Sequence, residues 1–308
     1  MIKASIDIGT NSVLLLVCEI ENGRIKPLVE QQEIPRLGKG VDSEKNLHPD
    51  SQNRVIKILE SYKRFLNNQY PDLDGQPVVT ATSAVRDASN RNEFLQAVFN
   101  RTRWEVTLLS GDQEAEITYR GALSVLRINK DKPKPVAVLD IGGGSTEIAQ
   151  GDRDDLKQNI SIDMGSVRFT ERFFKQNPPS AMEIEKARSE VDQLLQKADV
   201  PSSSVTAIGV AGTVTSIAAI ALDLTEYNPA KLNGFELEKE KINNFIKEFS
   251  ALTSEEIEKK YPIFLKGRGD VILAGVIILH QFLKRFQLDR ITVSTGGIRH
   301  GILLSGKQ

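Results

Sequence analysis

The chain has 308 residues, enough for two lobes of ordinary domain size, and its 40% apolar and 26% charged content is that of a globular α/β protein, which sets disorder aside. A net charge of −1 excludes a general nucleic-acid binder, so a polyanion would have to be held by local clusters of Lys and Arg. The single cysteine, Cys18, lies in an apolar run as a core residue; it excludes an internal disulfide framework and points to a reducing, cytoplasmic setting.

The segment Met1 to Asp7 enters a strand pattern at once and lacks the regions of a signal peptide. Val271 to Leu279, the longest apolar stretch, has about half the roughly 20 residues that span a bilayer, so no membrane partner is expected.

The first elements carry the main clue. Ser5-Ile6-Asp7-Ile8-Gly9-Thr10-Asn11-Ser12 recurs in altered form as Val138-Leu139-Asp140-Ile141-Gly142-Gly143-Gly144-Ser145. Each copy ends an apolar run with Asp, turns through Gly to Ser, and enters a second run, Val13 to Ile20 or Thr146 to Ala149, so both are predicted hairpins. Val29 to Ile34 follows as a third strand, and Val55, Ile58, Leu59, Tyr62, Phe65 and Leu66 form a helical stripe. Val78 to Ala81 and Val106 to Leu109 are predicted buried strands with a helix between them. A boundary is expected on the helix from Asp112 to Arg127 or in the Pro- and charge-rich stretch Asn129 to Pro135, a solvated connection.

The second half repeats the order. Ile160 to Ile162 is the third strand, Ile184, Ala187, Val191, Leu194 and Leu195 the stripe, Val205 to Val210 the buried strand, and a helix follows from Thr213. Ile291 to Ser294 is a last short strand, and Gly301 to Leu304 ends a helix. The expected division is a first lobe over 1–125, a second over 126–294, and a tail, 295–308, returning to the first. Two copies of one β-rich α/β unit imply lobes facing across a cleft.

Chemistry is concentrated in the turns. Glycines in Asp140 to Glu147 let successive amide N–H groups point at a phosphate, Asp140 and Glu147 offer hard oxygens to Mg²⁺, and Ser145 can donate to a phosphoryl oxygen. Asp7 holds the corresponding place in the first copy and joins them as a candidate metal residue. Neither turn matches a P-loop or a dinucleotide fingerprint. A third Gly turn, Gly209 to Thr215, joins a buried strand to a helix, where Gly212 and Thr213 could meet an anion at the helix start or serve packing alone. Arg86 could clamp a phosphate or pair with Asp87 on the surface. Glu114 and Glu116 open a helix, and spacing alone favours two acids complementing its dipole.

The chain resembles the exopolyphosphatase and guanosine pentaphosphate phosphohydrolase family, within the superfamily of actin, heat-shock chaperone ATPases and sugar kinases. The likeness runs over essentially the whole chain, with motifs in family order at Asp7 to Ser12, Thr82 to Asn90, Ser110 to Ala115, Asp140 to Glu147, Asp163 to Arg168, Gly209 to Thr213 and Ser294 to Arg299. It implies a two-lobed actin-like ATPase (ribonuclease H-like) α/β fold of duplicated βββαβαβα units and a hydrolase that releases terminal phosphate from polyphosphate with Mg²⁺, or Mn²⁺. Guanosine pentaphosphate (pppGpp) is the alternative substrate, and an actin-like kinase or a nucleotide-switched scaffold are the competing classes. By position, the resemblance makes Glu114 the base that activates water and Arg86 a phosphate ligand. Asp140 and Glu147 organise the metal; Asn11, Ser12, Gly143, Gly144 and Ser145 cradle phosphates. Arg168, Lys266, Arg268 and Arg299 are further candidates for a polyanion track, although Asp270 beside them could simply cap a helix. Gln113 stands where the family often has a first Glu before Glu114, which affects a secondary contact more than the base. A homodimer is also expected, whereas a second hydrolase centre of paired His and Asp, found in longer members, is not.

Overall fold

The computed structural model describes residues 1–126, 135–152, 155–198 and 205–305, so the connection from Asn129 to Lys134 lies outside the described residues. The first half consists of β1 (Ile2–Ile8), β2 (Val13–Glu21), β3 (Arg24–Glu33), α1 (Val41–Glu44), α2 (Pro49–Gln69), β4 (Val78–Ala81), α3 (Ser83–Asp87), α4 (Arg91–Thr102) and β5 (Val106–Leu108). Helix α5 (Gly111–Ser124) leads into β6 (Val136–Ile141), β7 (Thr146–Asp152), β8 (Asp155–Ile162), α6 (Ser166–Phe173), α7 (Ala181–Lys197), β9 (Thr206–Val210) and α8 (Ala211–Ala221). The chain closes with α9 (Pro229–Leu232), β10 (Glu236–Glu238), α10 (Lys239–Phe249), α11 (Ser254–Lys260), α12 (Ile272–Arg285), β11 (Arg290–Val293) and α13 (Ile298–Leu304).

The repeat in the sequence is a repeat in topology. One sheet has the order β3-β2-β1-β4-β5; the other reads β8-β7-β6-β9-β11 and adds β10 at its edge. In both, the first three strands are antiparallel neighbours and the fourth pairs parallel to the first. Register carries the duplication to single residues, for Asp7 lies opposite Leu14 as Asp140 lies opposite Glu147. The turns match too: Gly9 N–H donates to Ser12 O at 2.9 Å and Gly142 N–H to Ser145 O at 3.0 Å. The parallel pairing leaves the ends of β1, β4, β6 and β9 on one rim, where the chemistry is expected.

Local sequence explains the helices. Pro49 opens α2 with its missing N–H where no helical bond is needed, and Val55, Leu59, Tyr62 and Leu66 bury one stripe. Gln113, the residue that departs from the family pattern, completes a capping box with Ser110 and so fixes the start of α5. Each lobe has its own core, and α5 is shared: Ala115, Tyr119 and Ala122 pack on β6, β7 and β9, while Ile117 meets Ile298 and Ile302 of α13. The crossing of α5 and α13 requires glycine, because a Cβ on Gly301 would lie 1.9 Å from the Ile117 carbonyl oxygen. Helix α13 also reaches β1 and β2, with Ser5 Oγ donating to Arg299 O at 2.8 Å and Arg299 to Leu15 O at 3.0 Å.

The lobes are fastened beside the cleft as well. Arg36 of the first donates twice to Asp270 of the second, each bond 3.0 Å, and once to Gly267 O at 3.1 Å. Asp270 is therefore an interlobe partner and not a helix cap; α12 starts after Val271 without a side-chain cap. Among the described residues no helix is long and apolar enough to cross a membrane.

Candidate active site

Strand ends and helix starts from both lobes converge on a cleft of about 150 Å³. The turns Gly9 to Ser12 and Gly142 to Ser145 face it, as do Thr82, Ser83, Glu114, Gly212, Thr213, Arg268 and Arg299. The two hairpin turns touch: a Cβ on Gly143 would lie 2.8 Å from Thr10 Cβ, and one on Gly144 would lie 2.6 Å from Ser83 Oγ. Thr10 and Ser83, joined by a 2.8 Å hydrogen bond, thus form the first-lobe surface against which the second-lobe turn closes.

Four carboxyl groups are buried in this polar region, Asp7, Glu114, Asp140 and Glu147. Helix α5 organises two of them, because Glu114 and Thr118 stand one turn apart and Thr118 Oγ1 donates to Asp140 at 3.2 Å. Glu147, 1% exposed, accepts from Ser161 at 2.6 Å through Oε1, while its Oε2 is buried without a hydrogen-bond partner. Asp7 accepts from Thr80 at 3.4 Å.

Burial raises every one of these acids, and repulsion from neighbouring carboxylates adds to it in Asp7, Glu114 and Glu147. Asp7 is pushed up to about 7 by burial and the Asp140 charge, against the pull of Arg299. Burial takes Asp140 to about 6, and burial with the Asp140 charge takes Glu147 to about 8. Glu114 rises well above the usual carboxylate range through burial and then the charges of Glu147 and Asp140. Such a set attracts a cation, and the orphaned Oε2 of Glu147 is a fitting hard ligand. Among the described residues no three or more His, Cys, Asp or Glu side chains are grouped to enclose a metal. A hard cation such as Mg²⁺ needs no such enclosure, since it keeps several waters and uses one or two carboxylates together with substrate phosphate.

The cationic candidates fall into different places. Arg86 donates to Glu114 Oε2 at 3.1 Å and to Leu109 O at 3.0 Å, so its partner is Glu114 and not Asp87. Arg299 lies at the cleft wall, bound to Glu30 at 3.0 Å. Arg168 does not reach the cleft surface as a free phosphate ligand: its guanidinium is committed to Asp42, Asp87 and Gly144 O. Arg268 is the cation whose environment calls for an anion. It is half-buried, its Nε is sealed without a partner, burial lowers it to about 10, and among the described residues no carboxylate pairs with it. One guanidinium nitrogen donates to Ser12 at 3.2 Å, and the group lies so close over Gly212 that a Cβ there would sit 1.6 Å from it.

Sequence reasoning missed Thr10, Ser83 and Thr118. The first two sit inside singled-out motifs, and Thr118 carries a signal in its spacing of four from Glu114. Ser161 has no such signal, because its role follows from its register opposite Glu147.

Two copies of one β-rich α/β unit, meeting over paired Gly and Ser turns and a nest of buried carboxylates, define a two-lobed actin-like ATPase fold. The chain belongs to the Ppx/GppA phosphatase family, whose model matches residues 16–307. It is 34% identical over 99% of its length to the bifunctional 3-dehydroquinate synthase/phosphatase of Fusobacterium nucleatum, of which it covers 46%, so it spans about half of that relative. Exopolyphosphatase 2 of Mycobacterium tuberculosis is 32% identical, over 98% of this chain and 97% of its own. Among solved structures, the Ppx/GppA family member from Aquifex aeolicus superposes with a TM-score of 0.82 at 32% identity, covering 99% of this chain and 97% of that one.

Proposed function

We propose that this chain is an exopolyphosphatase that hydrolyses the terminal phosphoanhydride bond of inorganic polyphosphate. The observation that carries this most is that Glu114 and Asp140 line a cleft walled by two Gly/Ser turns, with Glu147 buried close behind them. The activity named for the mycobacterial relative supports it.

In this proposal the turns hold the terminal phosphates through backbone N–H groups and the Ser12 and Ser145 hydroxyls, and Arg268 neutralises charge at the Ser12 side. Asp140 and Glu147, with Asp7 near them, would hold Mg²⁺, which when bound would neutralise charge on the phosphoryl oxygens. Glu114, oriented by Arg86, takes a proton from water as the water oxygen bonds to the terminal phosphorus. The bond from that phosphorus to its bridging oxygen breaks, releasing orthophosphate and a chain one unit shorter. Arg86 orients Glu114 through its 3.1 Å hydrogen bond and, in this reading, turns toward the phosphoryl group when substrate is bound.

A second substrate is favoured by one feature. A chamber of about 510 Å³ adjoins the cleft, shares Arg268 and Arg299 with it, and is lined by Tyr227, Ile263 and Phe264, which gives room and apolar surface for a nucleoside. Guanosine pentaphosphate fits that description. Phosphate release with Mg²⁺ from long polyphosphate, short polyphosphate, guanosine pentaphosphate and ATP at matched concentration tests both. Faster release from polyphosphate without any acceptor supports the first; release from ATP alone contradicts both. The proposal includes a homodimer, checked by sedimentation.

A further inference from the structure

Arg168 is 6% exposed, far from the ordinary state of a surface arginine, and every direction of its guanidinium is used. Nε donates to Gly144 O at 2.6 Å within its own lobe. The two terminal nitrogens donate to Asp42 and Asp87 of the other lobe, each at 2.5 Å. Asp87 ends α3 and follows Arg86, which holds Glu114. One planar group therefore joins the second-lobe phosphate turn to the segment that carries Arg86.

The effect on the turn follows from peptide geometry. Helix α6 takes the turn's carbonyls one after another: Ser166 N–H donates to Gly142 O at 2.9 Å, and Val167 and Arg168 N–H donate to Gly143 O at 2.8 and 3.1 Å. Arg168 Nε completes the series at Gly144 O. In a trans peptide the C=O of one residue and the N–H of the next point to opposite sides. Drawing the carbonyls of Gly142, Gly143 and Gly144 toward α6 turns the N–H groups of Gly143, Gly144 and Ser145 the other way, toward the cleft that Gly143 and Ser145 line.

We propose that Arg168 is a positioning residue, one that aims the Gly143 to Ser145 amides at the transferring phosphoryl group and sets them in register with Arg86 and Glu114 across the lobes. The proposal rests on the phosphohydrolase function given above. It replaces the expectation that Arg168 touches the polyanion.

The test compares Arg168→Lys, Asp42→Asn and Asp87→Asn with the unaltered chain, measuring kcat and KM on long and short polyphosphate with Mg²⁺, melting temperature, and hydrogen exchange of the peptide spanning 142–146. A misplaced donor set costs about 10²-fold in rate, so kcat is expected to fall by that order in Arg168→Lys. KM should stay within about threefold and exchange at 142–146 should speed up. Asp42→Asn and Asp87→Asn keep shape and remain informative should the lysine variant fold poorly; each should show the same pattern more weakly. Arg168→Ala should recover turnover when guanidinium is added at millimolar concentration. A lowered melting temperature with unchanged kcat and unchanged exchange would mean a merely structural clasp and overturn the proposal. So would a KM rising with chain length at constant kcat, the mark of a direct polyanion contact. If the unaltered chain releases no phosphate from polyphosphate, the proposed function fails, and exchange at 142–146 then decides the role of Arg168 by itself.

Discussion

Residue by residue, the two hairpins share one register but differ in the turn, Thr10-Asn11 against Gly143-Gly144, and at the second position beyond it, where Leu14 faces Asp7 but Glu147 faces Asp140. Only the second hairpin offers two acids, so in the proposed function the metal would be held mainly by that lobe, with Asp7 and a phosphate turn offered by the first. Glu147→Gln should therefore raise the Mg²⁺ concentration needed for half-maximal turnover by tenfold or more with the fold intact, and an unchanged requirement would refute its role. A second residue bears on stability. His300 is buried with both ring nitrogens unpartnered, and burial, aided by the Arg299 charge, lowers it from the usual 6.5 to about 3. The folded protein thus binds fewer protons than the unfolded chain between those values, and stability present above about pH 6.5 is lost as pH falls toward 3. At pH 5 the cost is roughly 2 kcal/mol, from 1.36 kcal/mol per pKa unit. Melting curves of His300→Phe should drop less between pH 7 and pH 5 than those of the unaltered chain; an equal drop would show that His300 does not contribute. Asp7 and Asp140 were legible in the sequence because the repeat marks them, and Glu147 because it closes the second Gly turn, whereas Glu114 was singled out only by the family resemblance. The partners of Arg168 were not, since Asp42 lies 126 positions away and no local pattern links the two.

At the level of elements, the rim of the cleft depends on how α8 begins. Ala211 takes a left-handed backbone with φ of 65°, unusual for a side chain with Cβ, and this brings Gly212 beneath the Arg268 guanidinium. Gly212→Ala should push Arg268 off Ser12, and because the proposed function has that cation neutralise phosphate, KM for polyphosphate should rise by about tenfold, the effect of one charged hydrogen bond lost. Unchanged KM would remove Arg268 from the binding surface. Patterning found every strand but β10 and, among the helices, α2, α4, α5, α7, α8 and α13; it failed where polarity misleads. Strand β3 starts at Arg24, ahead of Val29, because its first half pairs with β2 as an exposed ribbon and carries no apolar alternation. Helix α8 starts at Ala211, two residues before Thr213, because a left-handed alanine leaves no trace in composition.

For the whole molecule, the duplication foretold two lobes around a cleft, and the matched strand orders have that form. What remained hidden is how the lobes are joined. Helix α5 carries Glu114 yet packs on the second sheet, and α13 crosses it at Gly121 and Gly301, so the acid is placed by contacts distant in sequence. Arg36 with Asp270 and Arg168 with Asp42 then hold the lobes over the cleft. The central claim is that this assembly delivers Glu114 as the base that activates water. Turnover and polyphosphate affinity of Glu114→Gln, with Glu116→Gln as control, test it most directly, since Glu116 is exposed and paired with Arg120 at 2.9 Å. Turnover of Glu114→Gln is expected to fall about 10²–10⁴-fold, the usual worth of general-base assistance. Affinity should be kept or improved, and Glu116→Gln should behave as the unaltered chain. Near-normal turnover in Glu114→Gln, with loss in Glu116→Gln, would contradict it.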